Sequence, residues 1–355
     1  MGIDTVDAAP PKQRRATLAT VAASAGVSIA TVSKVLNGRR DVASATRALV
    51  QEALQQQDYV MSAPRRAGAA VEPTVEVEVD GALRAYSSEI VQGVIDAGAQ
   101  AGVALVVSTH VGRAGNKPAE RPAVWARALV AAGRRAVIAV TSELTAEHLA
   151  ALSRAGIPLV LIDPMNMPRA RVTSVGSTNF TGGMTATQHL LTLGHRRIGY
   201  VGGPEGAACN HARLHGYRAA MEAVGAPVVP GYVTTGRFDY DSGVLMGGAM
   251  LDLPEPPTAI FAGCDEVALG VIEAARARGR RVPQDLSVVG FDDTQLARIA
   301  SPPLTTVRQS LREMGGVALR TALRLAAGET IESHHVELAT ALVVRGSTAP
   351  PSSDG

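Results

Sequence analysis

Two cysteines, Cys209 and Cys264, are all that this 355-residue chain contains. That excludes a disulfide scaffold and a multi-cysteine zinc site. Lysine is nearly as scarce: only Lys12, Lys34 and Lys117 stand among 34 basic residues, a hint of a GC-rich genome. No apolar run reaches the ~18–20 uncharged residues of a membrane span, and the start MGIDTVDAAPPKQRR lacks a signal peptide's apolar core. The expectation is a reduced, cytoplasmic protein with no membrane partner. No nucleophile, base and orienting group stand out together. Gly202-Gly203-Pro204 lacks both the Lys-Ser/Thr tail of a phosphate loop and the spaced glycines of a dinucleotide fingerprint. The sequence therefore argues against an enzyme and implies no cofactor. What is present is a 46% hydrophobic share with 19% charged residues, which suits a globular chain of two or three domains.

The net charge of +2 divides unevenly. Residues 1–66 carry nine basic and five acidic side chains, whereas the remainder carries 25 and 27. A small basic head on a nearly neutral body fits a phosphate-binding module joined to a separate domain. Residues 1–15 form a Pro- and charge-rich tail, 16–60 a head of three short helices, 61–74 a linker, 75–347 a body, and 348–355 a second tail. In the head, Thr17 caps a first helix bearing Leu18, Val21 and Ala22 on one face. Ser28 caps a second with Val32, Val35 and Leu36, and the third (about 44–57) presents Ala45, Leu49 and Leu54. Such short helices must share one small core.

The body alternates apolar runs with amphipathic stretches. Strands are expected at 75–79, 103–108, 136–141, 158–162, 198–202, 258–262 and 286–290. Helices are expected near 87–101, 121–132, 145–155, 180–193, 210–224, 241–251 and 265–278. This pattern predicts two doubly wound parallel-sheet α/β lobes, with ligands at the carboxyl ends of the strands. The strand VEVEV (75–79) alternates, which predicts a half-exposed face.

LATVAASAGVSIATVSKVLNG (18–38) has the form of a helix-turn-helix, in which Ala22 permits close approach and Gly26 a tight turn. Its second helix would enter the major groove. There Ile29 and Ala30 can make only apolar contact with bases, while Thr31, Ser33, Lys34 and Asn37 can donate to phosphates or base edges. Ser28, Thr17 and Thr46 complete the candidate DNA-binding set. The plain alternative is a helical hairpin with a polar outer face.

AGVSIATVSKVLNG, followed by Thr46-Arg47 and Tyr59, resembles the DNA-binding head of the LacI/GalR family of bacterial regulators. HLLTLGHRRIGYVGGP (189–204), RLHGYRAAM (213–221), PTAIFAGCDEVALG (257–270), VPQDLSVVGFDD (282–293) and SPPLTTVRQ (301–309) continue the resemblance in order and spacing over about residues 17–347. It implies a homodimeric repressor on a pseudo-palindromic double-stranded operator, with a periplasmic-binding-protein-like body of two lobes. The chain would cross between lobes near 176, 308 and 330, giving one lobe of about 75–176 and 308–330 and another of about 177–307 and 331–347. The effector between them would be a small molecule, a sugar, or alternatively a corepressor such as a nucleobase. Without a leucine-rich heptad at STAPPSSDG, a dimer is expected rather than a tetramer.

The resemblance also implies effector contacts at Arg213, Asp292, Phe238 and Tyr86. Read without it, Arg213 is a surface ion pair and Asp292 a loop or helix cap. Cys264 stands where the family usually has an asparagine that bonds the effector, which weakens one polar contact. Ala43 replaces a capping serine, a loss of roughly 1 kcal/mol if uncompensated. In the linker, Pro64-Arg65-Arg66-Ala67-Gly68 puts Gly68 near the place of a leucine that wedges into the minor groove. Glycine cannot wedge between bases. Arg65 and Arg66 then act either as a basic arm in a narrow minor groove or as part of a solvated linker. His211 and His215, at i, i+4 with Cys209 nearby, have metal-ligand spacing but equally suit a cleft lining or a surface. His334-His335 reads as structural. A solute-binding protein would need an export signal and no DNA head. A sugar-processing enzyme would need an acid–base pair.

Overall fold

A computed structural model describes residues 17–36, 39, 42–56, 74–110, 121–166 and 172–352. The chain divides into two compact units at residue 70. Asn37, Arg65, Arg66, the first tail and the linker up to residue 73 lie outside the described residues.

The first unit holds α1 (Leu18–Ser24), α2 (Ile29–Leu36) and α3 (Ser44–Gln56). Thr17 caps α1: its Oγ1 accepts from Thr20 N (3.3 Å), and Thr20 Oγ1 accepts from Thr17 N (2.9 Å). This reciprocal pair satisfies two backbone donors that a helix start leaves open. Gly26 turns the chain between α1 and α2 at φ +64°, a conformation that costs glycine little. Val21, Ala22, Val32, Val35, Val50 and Ala53 form the shared core. On α3 Leu54 packs against this core as expected, but the rest of the expected face is out of phase. Leu49 is 53% exposed and Ala45 is exposed, whereas Val50 and Ala53 are buried.

The second unit contains, among the described residues, twelve strands. They are β1 (Thr74–Asp80), β2 (Leu105–His110), β3 (Arg134–Val140), β4 (Leu159–Ile162), β5 (Thr173–Ser177), β6 (Ile198–Gly202), β7 (Val233–Thr235), β8 (Ala259–Ala262), β9 (Ser287–Asp292), β10 (Thr305–Arg308), β11 (His335–Leu338) and β12 (Ala341–Val343). Around them pack α4 (Ala85–Ala101), α5 (Pro122–Ala131), α6 (Ala146–Arg154), α7 (Asn179–Thr192), α8 (Ala208–Ala223), α9 (Tyr240–Leu251), α10 (Asp265–Ala277), α11 (Gln295–Ile299) and α12 (Leu311–Ala326). One sheet runs β11-β5-β4-β3-β1-β2 and the other β12-β10-β9-β8-β6-β7. Pairing is parallel except between β10 and β12. These are the two α/β lobes that the apolar runs and intervening helices imply.

Four expectations need correction. β1 is buried from Val75 to Val79, with Glu76 at 6% and Glu78 at 2% exposure. Its alternation faces a second protein layer instead of water: Arg134 Nε and Ser108 Oγ donate to Glu76, and Trp125 Nε1 donates to Glu78 Oε1 at 2.8 Å. The third crossing lies between Leu338 and Ala341, not near 330, because β11 pairs with β5 in the first sheet. Residues 331–338 thus belong to the first lobe. The helix α12, absent from the expected elements, supplies that lobe with Met314, Ala318 and Leu319. Finally, residues 348 and 349, expected to begin a tail, are bonded to the second lobe. Ser287 Oγ accepts from Ala349 N (3.0 Å), and Thr348 Oγ1 lies 3.0 Å from His189 Nε2.

Three helix pairs touch backbone to backbone through glycine. A Cβ on Gly183 (α7) would sit 2.3 Å from the Arg213 carbonyl oxygen of α8. Gly93 and Gly315 serve α4 and α12 in the same way, and Gly243 and Gly270 serve α9 and α10.

Candidate functional site

In the head, α2 buries Val32 and Val35 and presents Ile29, Ala30 and Lys34 on the opposite side. Ile29 is 52% exposed, a site for apolar contact rather than a core position. Ser28 caps this helix, its Oγ accepting from Thr31 N at 3.1 Å. Thr31, Ser33 and Thr46 are half-buried, and Thr17 and Ser28 are exposed. No carboxylate occurs between Leu18 and Leu36, so nothing on α1 or α2 repels a phosphate.

In the body, the strands of both lobes end at one cavity of about 920 Å³. Tyr86, Arg213, Phe238, Cys264 and Asp292 all line it, so the five residues named for an effector come together. Arg213 projects from α8 and is 3% exposed. Its Nε donates to Asn179 Oδ1 (2.8 Å) and its Nη1 to the Gly263 carbonyl (2.6 Å). Its guanidinium carbon lies 3.8 Å from the Phe291 ring centroid and 5.6 Å from that of Phe238. Burial opposes its charge, but Cys209, Asp292 and Asp163 outweigh that and hold it more firmly protonated than a free arginine.

Asp292 closes β9 at φ +116°. Its Oδ1 accepts from Gln309 Nε2 at 2.7 Å, across the second chain crossing. Burial pushes this carboxyl well up; Arg213 pulls it down and Asp265 adds to the rise. From the opposite lobe comes Asp163, which sequence reasoning missed. It follows β4, accepts from Tyr86 OH at 2.5 Å, and is pushed up by burial against the pull of Tyr86 and Arg213. The only signal for it was an Asp-Pro pair just past an apolar strand. Asn179, Gln309 and Trp125 were also missed; of these, only Trp125 lines the cavity itself.

Cys264 caps α10, its Sγ accepting from Val267 N at 3.5 Å, and burial pushes its thiol well up. It offers the cavity a neutral, weakly polar wall. The Gly202-Gly203 pair has a packing role. A Cβ on Gly203 would meet the Phe238 ring at 2.3 Å, and one on Gly202 would meet Asn210 Oδ1 at 2.3 Å. His211 and His215 stack on exposed α8 surface with centroids 6.3 Å apart. Among the described residues no group of three His, Cys, Asp or Glu is placed to hold a metal. His334 and His335 meet Thr173 and Ser174 of β5 at 3.4 and 2.8 Å.

Residues 17–62 match the lacI family of bacterial regulatory proteins, and residues 187–348 match the periplasmic binding protein-like domain. The chain is 36% identical over 346 residues to the HTH-type transcriptional regulator CelR of Thermobifida fusca, covering 95% of this chain and 99% of that protein. The chain belongs to the LacI family. As a LacI-family member it is a DNA-binding transcriptional regulator with an effector-binding body. Solved LacI-family structures share its fold. A CelR–cellobiose complex superposes with a TM-score of 0.69 at 34% identity, covering 94% of this chain and 100% of that one. The lac repressor dimer bound to operator and the anti-inducer ONPF superposes at 0.68 and 26% identity, covering 95% and 100%. These relatives are regulators, not enzymes. No single helix among the described residues is long and apolar enough to cross a membrane.

Proposed function

We propose that the protein is a homodimeric repressor of a pseudo-palindromic operator and that a sugar bound in the body's cavity controls its hold on DNA. The carrying observation is that polar groups of both lobes converge on one cavity. Asp163 comes from the first lobe, and Asp292 and Arg213 from the second. A ligand bridging them favours one lobe arrangement over another, which is the requirement for control by binding. Arg213 supplies a fixed fork of donors and Asp292 accepts from hydroxyls, while the Phe238 ring packs against an apolar sugar face. Cellobiose, the ligand of the CelR complex, is the first sugar to test.

On DNA, α2 of each protomer lies in the major groove one helical turn from its mate. Ile29 and Ala30 contact bases, and Thr31, Ser33, Lys34 and Asn37 donate to phosphates or base edges. Thr17, Ser28 and Thr46 fix the head on the backbone. Arg65 and Arg66 extend the contact into the minor groove. Footprinting with purified protein tests the reading, since a symmetric protected site and a dimeric mass are expected. Asp292→Ala should abolish the sugar's effect on operator binding and leave unliganded binding intact. Loss of both would assign Asp292 a folding role and refute its place in effector control.

A further inference from the structure

Among the described residues the chain crosses between the lobes three times, and two of the crossings hold a buried amide. Asn179 opens α7 just after β5 leaves the first sheet, and it is 8% exposed. Gln309 lies between β10 of the second sheet and α12 of the first lobe, at 4% exposure. Neither belongs to the cavity wall, yet each bonds an ionisable side chain of the second lobe that does. Asn179 Oδ1 accepts from Arg213 Nε at 2.8 Å, while its Nδ2 donates to the carbonyl of Ser177, the last residue of β5, at 3.0 Å. Gln309 Nε2 donates to Asp292 Oδ1 at 2.7 Å, and its backbone N–H donates to the Asp292 carbonyl at 3.2 Å.

The first of these links is stiff and the second is incomplete. Thr178, beside Asn179, ties the first crossing to the third. Its N–H donates to the Leu338 carbonyl (3.0 Å), and its Oγ1 accepts from Thr340 N (3.0 Å). A shift of Asn179 therefore moves two crossings together. Gln309 Oε1, by contrast, is buried with no hydrogen-bond partner among the described residues. A buried acceptor left unpaired costs free energy, and that cost favours a setting of the second crossing that brings it a donor. An amide has its donors and acceptor at fixed positions on one short side chain. A ligand that draws Arg213 or Asp292 toward itself thus re-aims the amide behind it, and with it the crossing.

We infer that Asn179 and Gln309 are positioning residues that carry occupancy of the cavity, through Arg213 and Asp292, to the angle between the lobes. This role rests on the cavity being the effector site. Purified full-length protein tests it in two ways. At saturating cellobiose, Asn179→Leu and Gln309→Met should each cut the sugar-induced change in operator affinity about tenfold, saturation having removed any difference in sugar binding. Asn179→Asp keeps an acceptor for Arg213 and should retain that change within about twofold. Without sugar, hydrogen exchange gives a double-mutant cycle. Arg213→Met should speed exchange at residues 177–180 about tenfold in the natural background, and less than about twofold when Asn179 is already Leu. Asp292→Ala with Gln309→Met should behave likewise at 309–312. A purely structural role predicts additive exchange and an undiminished response at saturation, and either result overturns the link. If cellobiose leaves the natural protein's operator affinity unmoved, cellobiose is not the effector, and the exchange cycle alone decides for or against the link.

Discussion

Gly183→Ala sets two effects of known sign against each other. Alanine is the better helix former by about 1 kcal/mol, so propensity alone predicts a more stable α7. The new Cβ, however, would stand 2.3 Å from the Arg213 carbonyl oxygen and 2.9 Å from its Cα. Both are backbone atoms, so no rotamer change relieves the clash, and α7 must move from α8 by about an ångström to restore ordinary contact. Overpacking of this kind costs about 1–3 kcal/mol, and a contact with rigid backbone belongs at the upper end. After subtraction of the propensity gain, the variant should be less stable by about 2 kcal/mol, or about 5 °C in Tm. Gly316→Ala is the control. Its nearest neighbour is the flexible Arg320 guanidinium at 3.0 Å, with Ala97 Cβ at 3.9 Å, so this change should be neutral or stabilise by up to about 1 kcal/mol. Thermal and urea denaturation of the two variants read both signs. Because the displaced carbonyl is that of Arg213, Gly183→Ala should also weaken any ligand that Arg213 holds. Equal stabilisation by both substitutions would refute the argument from close helix contact.

Arg84 donates to Glu266 at 2.8 Å across the cleft from one lobe to the other, with side chains 45% and 17% exposed. Exposure keeps its contribution to stability below about 1 kcal/mol, so Arg84→Ala should leave Tm within about 3 °C. The same change should widen the lobe angle in small-angle scattering; an unchanged profile would show that the pair does not hold the cleft. Burial pushes the Asp265 carboxyl up to about 6 from an ordinary 3.8, against the pull of Thr306 and Thr294. A carboxyl raised by folding adds stability that is complete below about 3.8 and lost as pH rises through about 6. Relative to Asp265→Asn, the natural protein should therefore gain in urea midpoint as pH falls from about 7 to about 4, and a flat difference would contradict this. Lys34→Ala should weaken operator and non-operator DNA alike and reduce the salt slope by about one. Arg65→Ala with Arg66→Ala should reduce that slope further; an unchanged slope would leave 61–74 a solvated linker.

Much of this architecture could be read along the chain because local rules and tertiary packing agree there. Thr17, Gly26 and the Val21/Ala22 and Val32/Val35 pairs mark the head by capping, turn and period. β3, β4 and β8 are plain apolar runs because both sheet faces are covered there. The misses have physical causes. In α12 the Gly315-Gly316 pair reads as a breaker, yet Gly315 is there because a Cβ would fall 2.3 Å from the Ile90 carbonyl oxygen. β5 (Thr173–Ser177) carries a single large apolar residue, Val175, yet it is wholly buried, its serine and threonine hydroxyls meeting His334 and His335 of the chain's last pass through the first lobe. On α3 the larger Leu49 suggests the inward face, but Val50 fills it. Asp163 could not be singled out locally, since an Asp-Pro after a strand is ordinary turn chemistry until the opposite lobe brings Arg213 to face it.

The same carboxylates show why the site is an unstable place in a stable fold. Thr141, Asp163, Asp292 and Asp293 are the non-glycine residues with positive φ among those described, at +51°, +40°, +116° and +56°. All follow or close a strand at the cavity end, and such conformations cost about 1–3 kcal/mol each. Asp163 and Asp292 bear a second burden, because burial disfavours their charge. Hydroxyl groups donated by a ligand would offset that second term, replacing the water that burial removes. Because Asp163 sits in the first lobe and Asp292 in the second, one small ligand can relieve both only where the lobes bring them together. On the proposed reading, the buried charge would add to the bridging itself in turning ligand binding into a preference for one lobe arrangement.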